Sequence, residues 1–534
     1  MISLENELSS ILVMLRRHIN PLQSPAYRLP SELLPLVATH FERDADLVCA
    51  ARTSHHWRNT LQSHPSLWSH LDFQNPGRAL LFLKRSKSAP LHVALAGGSR
   101  ISPLIEPLRP HTTRIVTLEL FDCAPQRELL SQSMPSLRRL EIIGDPHRPG
   151  ELPVGEAATL SLPSVTSLAF HNIYPIPLHA PRLTHFKFRC SVPDSAAMVD
   201  RLLDFLYDCP LLESLEVSHV EGFVRPRNRA IPLPNLRSYK QGLLKDGVYT
   251  PRILDVLSLP PSCSVTLISR FRSYARAENV SFLPRLENPQ YLAGVRRVKL
   301  SAVAHTSKYT ICGVLELIND EGARVRLERE QPRIGGAMDG RFSLAYFNRS
   351  KVLDVRSVEI LCVEGYELLG GDAPTADSVG EALGCFGNIK TLILSRAAVE
   401  PYLKLLALEA NAGVANEVQR FPHVQTLIIH SIAWTDSSGS DILQALLSAA
   451  RRRKAAGNPF KSVSVFLLPV PNPGDREVEE WEELRGCIEE FKLVTGDDIL
   501  DWDIDRYFLG GLEHLRSHEN VEWNLYYDAW YLYA

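Results

Sequence analysis

The chain has no surplus of positive charge, no paired cysteines and no long apolar run, and each absence removes a class of function. Its 58 basic and 61 acidic side chains give a formal net charge of −3. With nothing in excess to hold a phosphate backbone, nucleic acid is not an expected partner. Nine cysteines lie scattered from Cys49 to Cys487 without a Cys-x-x-Cys pair. An odd, dispersed set speaks against a disulfide framework or a zinc site and for a reducing compartment, with the thiols acting as small core residues. No apolar run approaches the ~20 residues that span a bilayer. The start, Met1-Ile2-Ser3-Leu4-Glu5, has an early acidic residue where a leader would be basic and then apolar. The expected location is cytoplasmic or nuclear, with no membrane partner.

Catalytic signatures are also missing. There is no G-x-x-x-x-G-K-[ST], no G-x-G-x-x-G, no H-E-x-x-H and no G-x-S-x-G. The pair His55-His56 and the separate His514 and His518 have no cysteine or carboxylate at ligand spacing, so they read as exposed helix histidines. Asp497-Asp498 with Asp501, Asp503 and Asp505 lacks the central Gly and closing Glu of a calcium loop and reads as a solvated acidic segment. The expectation is a non-enzyme with no cofactor and no metal.

What the chain does have is length and repetition. Its 534 residues exceed one ordinary compact domain, and 45% hydrophobic with 22% charged residues is ordinary globular composition. Residues 1–24 hold Leu4, Leu8, Ile11, Leu12, Leu15 and Ile19 at near-helical spacing, a short amphipathic helix ended by Asn20-Pro21 and Ser24-Pro25. Residues 25–76 read as three short helices. The first follows Leu29-Pro30 and carries Leu33, Leu34, Val37 and Phe41 on one side, with Pro35 bending it or delaying its start. The second begins behind Asp44 or Asp46, with Leu47 and Ala50 or Ala51 facing in. The third holds Trp57 and Leu61 at i, i+4 and stops before His64-Pro65. About 45 residues make a marginal core without a partner.

The order Leu29-Pro30-Ser31-Glu32-Leu33-Leu34, then Leu47, then Trp57-Arg58, then Pro65-Ser66-Leu67-Trp68 resembles the F-box, in the form found in large fungal F-box families. The resemblance implies docking to a Skp-family adaptor and, through it, to a cullin scaffold. The residues it places at the adaptor surface or in the core behind it are Leu29, Pro30, Leu33, Leu34, Val37, Leu47, Trp57, Leu61, Leu67 and Trp68, with Trp57 and Trp68 the expected core members.

Residues 77–534 carry a recurring phrase: Pro, any residue, Leu or Val, two residues, then an aliphatic or aromatic residue. It occurs in six copies, beginning at Pro135, Pro163, Pro181, Pro210, Pro234 and Pro422. Without the proline it recurs at Ile115/Leu118/Leu120, Val295/Val298/Leu300, Val355/Val358/Ile360, Ile389/Leu392/Leu394 and Phe460/Val463/Val465. Continuation of the alternation, as in Leu140-Glu141-Ile142, marks short strands with one buried face. Helical stretches lie between copies, from Ser195 to Tyr207 and from Pro401 to Leu408. With roughly 20–35 residues per copy, the array resembles divergent leucine-rich repeats, Cys123 being the clearest match to the consensus Asn/Cys position. The expected fold class is therefore α/β: a small three-helix F-box followed by a leucine-rich-repeat-like solenoid.

Between residues 243 and 348 the phrase thins. Tyr309–Ile318, the turn Asn319-Asp320-Glu321-Gly322 and Ala323–Arg329 read as a β-hairpin, Phe342–Phe347 as a further strand, and the whole as strand-rich repeats or an inserted domain. Arg451-Arg452-Arg453-Lys454 reads as a solvated helix C-terminus or as a nuclear-import signal. Trp481, Leu484, Ile488 and Phe491 form one face of an acidic helix. The aromatic end, Trp523–Tyr533, is a cap over the last layer or a recognition surface.

Two functions fit. One is the non-catalytic substrate receptor of a Skp-cullin-F-box ubiquitin ligase, with the solenoid holding an unknown target protein. The other is a leucine-rich-repeat scaffold with a degenerate F-box working outside a ligase. The solvent-side strand positions Arg138, Glu141, Lys187, Glu216, Lys299 and Glu359 mix signs and name no ligand.

Overall fold

The computed structural model describes residues 7–8, 10–15, 29–41, 44–96, 102–121, 127–144, 160–173, 178–190, 196–218, 230–244, 253–270, 294–304, 310–332, 357–364, 386–395, 399–408, 421, 423–433, 438–468 and 475–495. It is a mixed α/β protein built on mostly parallel strands. The chain divides into two compact units, residues 1–192 with 204–209, and residues 193–203 with 210–534.

The first unit begins with helices α1 (Leu33–Ala38), α2 (Asp44–Thr53) and α3 (His55–Gln62), then a 3-10 turn over Pro65–Trp68. Strand β1 (His70–Asp72), helix α4 (Pro76–Arg85), strand β2 (Leu91–Leu95) and helix α5 (Ser102–Leu108) come next. Strands β3 (Ile115–Phe121), β4 (Arg139–Ile143), β5 (Ser167–His171) and β6 (His185–Arg189) complete it. Each of the six strands pairs in parallel with the next. Their register aligns Leu71, Val93, Leu118, Leu140, Leu168 and Phe186 in one row, and Leu95, Leu120, Ile142, Phe170 and Phe188 in the next. Every residue of both rows is buried.

The proline phrase now has a physical meaning. Leu137, Val165, Leu183 and Leu236 each donate their amide to the carbonyl three residues back, at 3.1–3.2 Å. Each proline is thus the second residue of a four-residue turn, where its fixed φ suits the geometry and no amide is required of it. The Leu or Val after it points inward, and the strand starts two residues later. One sequence phrase therefore specifies a turn, a core residue and a strand start together.

Helix α6 (Ala196–Tyr207), expected from Ser195, buries Val199, Leu202, Leu203 and Leu206. In the second unit the strands are β7 (Ser214–Ser218), β8 (Ser238–Leu244), β9 (Ser264–Arg270), β10 (Val295–Ala304), β11 (Thr310–Asn319), β12 (Arg324–Pro332), β13 (Ile360–Glu364), β14 (Thr391–Ser395), β15 (Thr426–Ala433), β16 (Ser462–Leu468) and β17 (Glu490–Thr495). Helices α7 (Val399–Leu408), α8 (Ser438–Ala455) and α9 (Asp475–Cys487) lie between the later strands in sequence. The spatial order runs β7, β8, β9, β12, β11, β10, β13 and then in sequence to β17.

The reversal in that order comes from β10, β11 and β12, which form an antiparallel meander inside an otherwise parallel ladder. The expected hairpin is its second half, with the partner strand running to Pro332. Asn319 organises the turn: its side-chain oxygen accepts from the amides of Glu321 and Ala323 at 3.0 and 2.9 Å, and its amide donates to the Pro261 carbonyl at 3.1 Å. Gly322 takes φ +80°, a conformation that costs an L side chain energy. For β10, which opens the meander, the sequence pattern predicts only another repeat copy. The strand pairs in parallel with β13 on one side and antiparallel with β11 on the other, because the alternation runs on past Leu300.

Two further expectations change. Phe491 belongs to β17, since α9 ends at Cys487. The basic run closing α8 is not simply solvated. Arg453 is buried and donates to the carbonyls of Phe421 and Val424, Arg452 to Ala407, Lys454 to Gly486, and Arg451 pairs with Glu483. The four cations thus meet carbonyls and a carboxylate of neighbouring segments, and the buried one requires such partners. Residues 7–8 and 10–15 are helical, and Leu8, Ile11, Leu12, Val13, Met14 and Leu15 are all exposed. Cys123, Phe342–Phe347, the Asp497–Asp505 segment, His514, His518 and Trp523–Tyr533 lie outside the described residues.

Candidate functional site

Residues 29–85 build the first candidate surface. Pro30 accepts the amide of Leu33 at 3.0 Å, which turns the chain into α1. The helix starts at Leu33, about one turn after Pro30, which puts Pro35 third in it, where an amide has no partner within the helix. The helix has two apolar faces. Leu34, Pro35 and Ala38 are buried, whereas Leu33, Leu36 and Val37 are 42%, 59% and 40% exposed. The expected single side carrying Leu33, Leu34 and Val37 is therefore wrong: neighbours in a helix stand about 100° apart, which turns Leu33 and Val37 away from Leu34. Leu36, which the sequence pattern does not single out, completes an outward triplet at i, i+3, i+4.

Behind that helix the module is held by a few specific contacts. Ser54 caps α3 by accepting the Trp57 amide at 3.2 Å, and Arg58 Nε donates to the Ala51 carbonyl at 3.2 Å, tying α3 to α2. Leu47, Ala51 and Leu61 are buried. Trp68 is fully buried and donates its indole N–H to the Leu61 carbonyl at 2.8 Å. Phe82 of α4 meets the Trp68 ring edge-on at 5.0 Å, and the Arg85 guanidinium lies 4.4 Å from its centroid. Burial, then the charge of Arg58, lowers the pKa of Arg85. Trp57, expected in the core, is only half-buried.

The ten candidate residues therefore divide. Leu34, Leu47, Leu61 and Trp68 hold the helices together, while Pro30, Leu33 and Val37 are exposed and Leu29, Trp57 and Leu67 are intermediate. The small core also leans on the segment after it. Phe82 stacks from outside the three helices, and β1 pairs directly with β2, His70 against His92.

A second candidate surface is the outer face of the strands. In β2–β6 it carries His92, Ala94, Thr117, Glu119, Arg139, Glu141, Ala169 and Lys187, all half-buried or exposed, together with the buried His171. Glu141 accepts from Arg139 at 2.9 Å and lies 3.3 Å from His171 Nε2. Burial pulls its carboxyl upward, yet those hydrogen bonds and charges together hold it at about 2. In the second unit the expected solvent-side Lys299 is buried and paired with Glu364 at 3.0 Å, and Glu359 is held down chiefly by the Lys390 hydrogen bond at 2.9 Å.

A family model described as F-box-like matches residues 26–74, so that stretch is an F-box-like domain. No curated protein matches the chain.

Proposed function

We propose that the F-box-like domain docks a Skp-family adaptor and so joins a Skp-cullin-F-box ubiquitin ligase, with the strand array as a leucine-rich-repeat-like solenoid that holds a target protein. The observation that carries this reading is the outward triplet Leu33, Leu36 and Val37 next to exposed Pro30, an apolar patch on the element where the family docks its adaptor. An apolar surface of this kind on a short helix is stabilised when a partner covers it. The chain supplies no chemistry itself. It holds a target lysine near a charged conjugating enzyme, so that rate comes from proximity and orientation. The aligned strand register supports the repeat reading, and the fungal type of F-box rests on the sequence pattern around Leu29-Pro30 and Trp68.

The test is co-purification with a Skp-family adaptor. Changing Leu33, Leu36 and Val37 together to Asp removes only exposed side chains, so the protein stays folded and adaptor binding falls at least a hundredfold. Leu29→Ala with Pro30→Ala acts in the same direction. Full retention of the adaptor by the triple variant refutes the reading. Trp68→Ala serves as the contrasting variant, because it unfolds the module at a cost of about 3–5 kcal/mol.

A further inference from the structure

The strands offer a target two very different outer faces. On β13–β15 the residues between the core rows are Cys362, Ile393 and Ile428, exposed by 0%, 0% and 2%, and the row ends on β16 at the half-buried Ser464, so the middle of this stretch is closed on both sides. On β2–β6 the matching row of residues between the core rows is half-buried throughout. One row there runs Asp72, Ala94, Glu119, Glu141, Ala169, Lys187 across β1 to β6. The two alanines, both half-buried, flank the glutamate pair. Two residues further along β3 and β4, Phe121 and Ile143 add half-buried apolar surface.

The two glutamates are not equivalent. Glu141 has a hydrogen-bonded Arg139 and a close His171. Glu119 stands between Ala94 and the ionised, already paired Glu141. Burial and then the Glu141 charge push the Glu119 carboxyl above the usual range, with Arg139 offsetting only part of this. A cation arriving beside Glu119 relieves a cost that the folded chain otherwise carries.

We infer that the target-docking face of the array is the open face of β2–β6, and that it takes an extended peptide whose Lys or Arg lies against Glu119 while an apolar residue two positions away lies against Phe121. The spacing comes from backbone geometry: side chains at i and i+2 of an extended peptide share a face about 6.6–6.8 Å apart, the same step that separates Glu119 from Phe121 on β3. This deepens the receptor reading and rests on it.

The test is selection of random nonapeptides displayed on phage against the full-length protein and its isosteric Glu119→Gln variant, both checked for unchanged melting. The wild type is expected to enrich Lys or Arg two positions from an apolar or aromatic residue. The variant should lose the basic preference, and a selected peptide should bind it about tenfold more weakly. Enrichment of peptides without a basic residue, of acidic peptides, or of the same basic peptides on both proteins overturns the inference but leaves the receptor reading standing. Failure to enrich any peptide over bare support counts against both, while adaptor co-purification is scored independently of the array.

Discussion

Strands β2–β6 and strands β13–β16 share inward rows of Leu, Ile, Val and Phe in matched register, and they differ in the residue placed between those rows. In the first set that residue is His92, Ala94, Thr117, Glu119, Glu141 or Lys187, and the outer face stays partly wet. In the second it is Cys362, Ile393 or Ile428, with the half-buried Ser464 ending the row on β16, and the middle of both faces is dry. Parallel strands buried on both sides read as continuous apolar runs, as in Leu392-Ile393-Leu394 and Leu427-Ile428-Ile429. The core rows set how neighbouring strands align, while the intervening residue decides whether the strand has a face available for recognition. Where polar groups are buried in this region they arrive paired, as Ser395 is with His430 at 3.2 Å, and the same holds on neighbouring β10, where buried Lys299 meets Glu364 of β13.

The sharpest test of this contrast is a buried carboxylate. Ile393→Asp places an unpaired charge at a fully buried position and should destabilise the second unit by about 4 kcal/mol or more. Ala169→Asp, at the matching kind of position on the open face, should stay within about 1 kcal/mol. Chemical denaturation of both variants measures the difference, and equal losses would erase the distinction between the two regions.

Truncating a ring gives a smaller effect of the same sign. Phe466→Ala removes a ring buried on the outer face and should cost about 3–4 kcal/mol, against about 1 kcal/mol for the half-buried Phe121→Ala. Thermal unfolding of the two proteins orders them. A loss as large at Phe121 would mean that the face of β3 is as closed as that of β16.

The smallest effect is confined to acid. Glu141 titrates at about 2 in the folded protein, below its ordinary value of 4.5. Its contribution is therefore complete above about pH 4.5 and is lost as the pH falls through 2, on the order of 3 kcal/mol in all. Glu119 has the opposite sign: its carboxyl is raised, so protonating it favours the folded state. Stability measured against pH should show the acid-induced loss in the wild type and a reduced one in Glu141→Gln. An unchanged profile in that variant would remove Glu141 as the source of the loss.

Much of this was legible in the residue order. The proline phrase located turns and strand starts because Pro, an inward Leu and a period of two each have a local cause. The Leu29–Trp68 pattern located the domain that the F-box-like match covers. The candidate surface was read less well. Leu33 and Leu34 look alike in sequence, and only the helix rotation relative to α2 and α3 separates an exposed leucine from a buried one. Arg453 looked solvated because nothing local shows that the carbonyls of Phe421 and Val424, about thirty residues earlier, lie within its reach.

The sequence by itself determined where the strands that carry the recurring phrase begin, and that a helical module precedes them, because turn chemistry and hydrophobic period act over a few residues. Only the tertiary structure decided that β10–β12 reverse the strand order, that Trp68 is closed over by Phe82 and Arg85, and that Ile393 and Ile428 are buried on the outer face while Glu119 and Ala169 are half-buried on theirs. Those outcomes depend on contacts between residues far apart in the chain, and burial belongs to the assembled surface, not to any residue on its own.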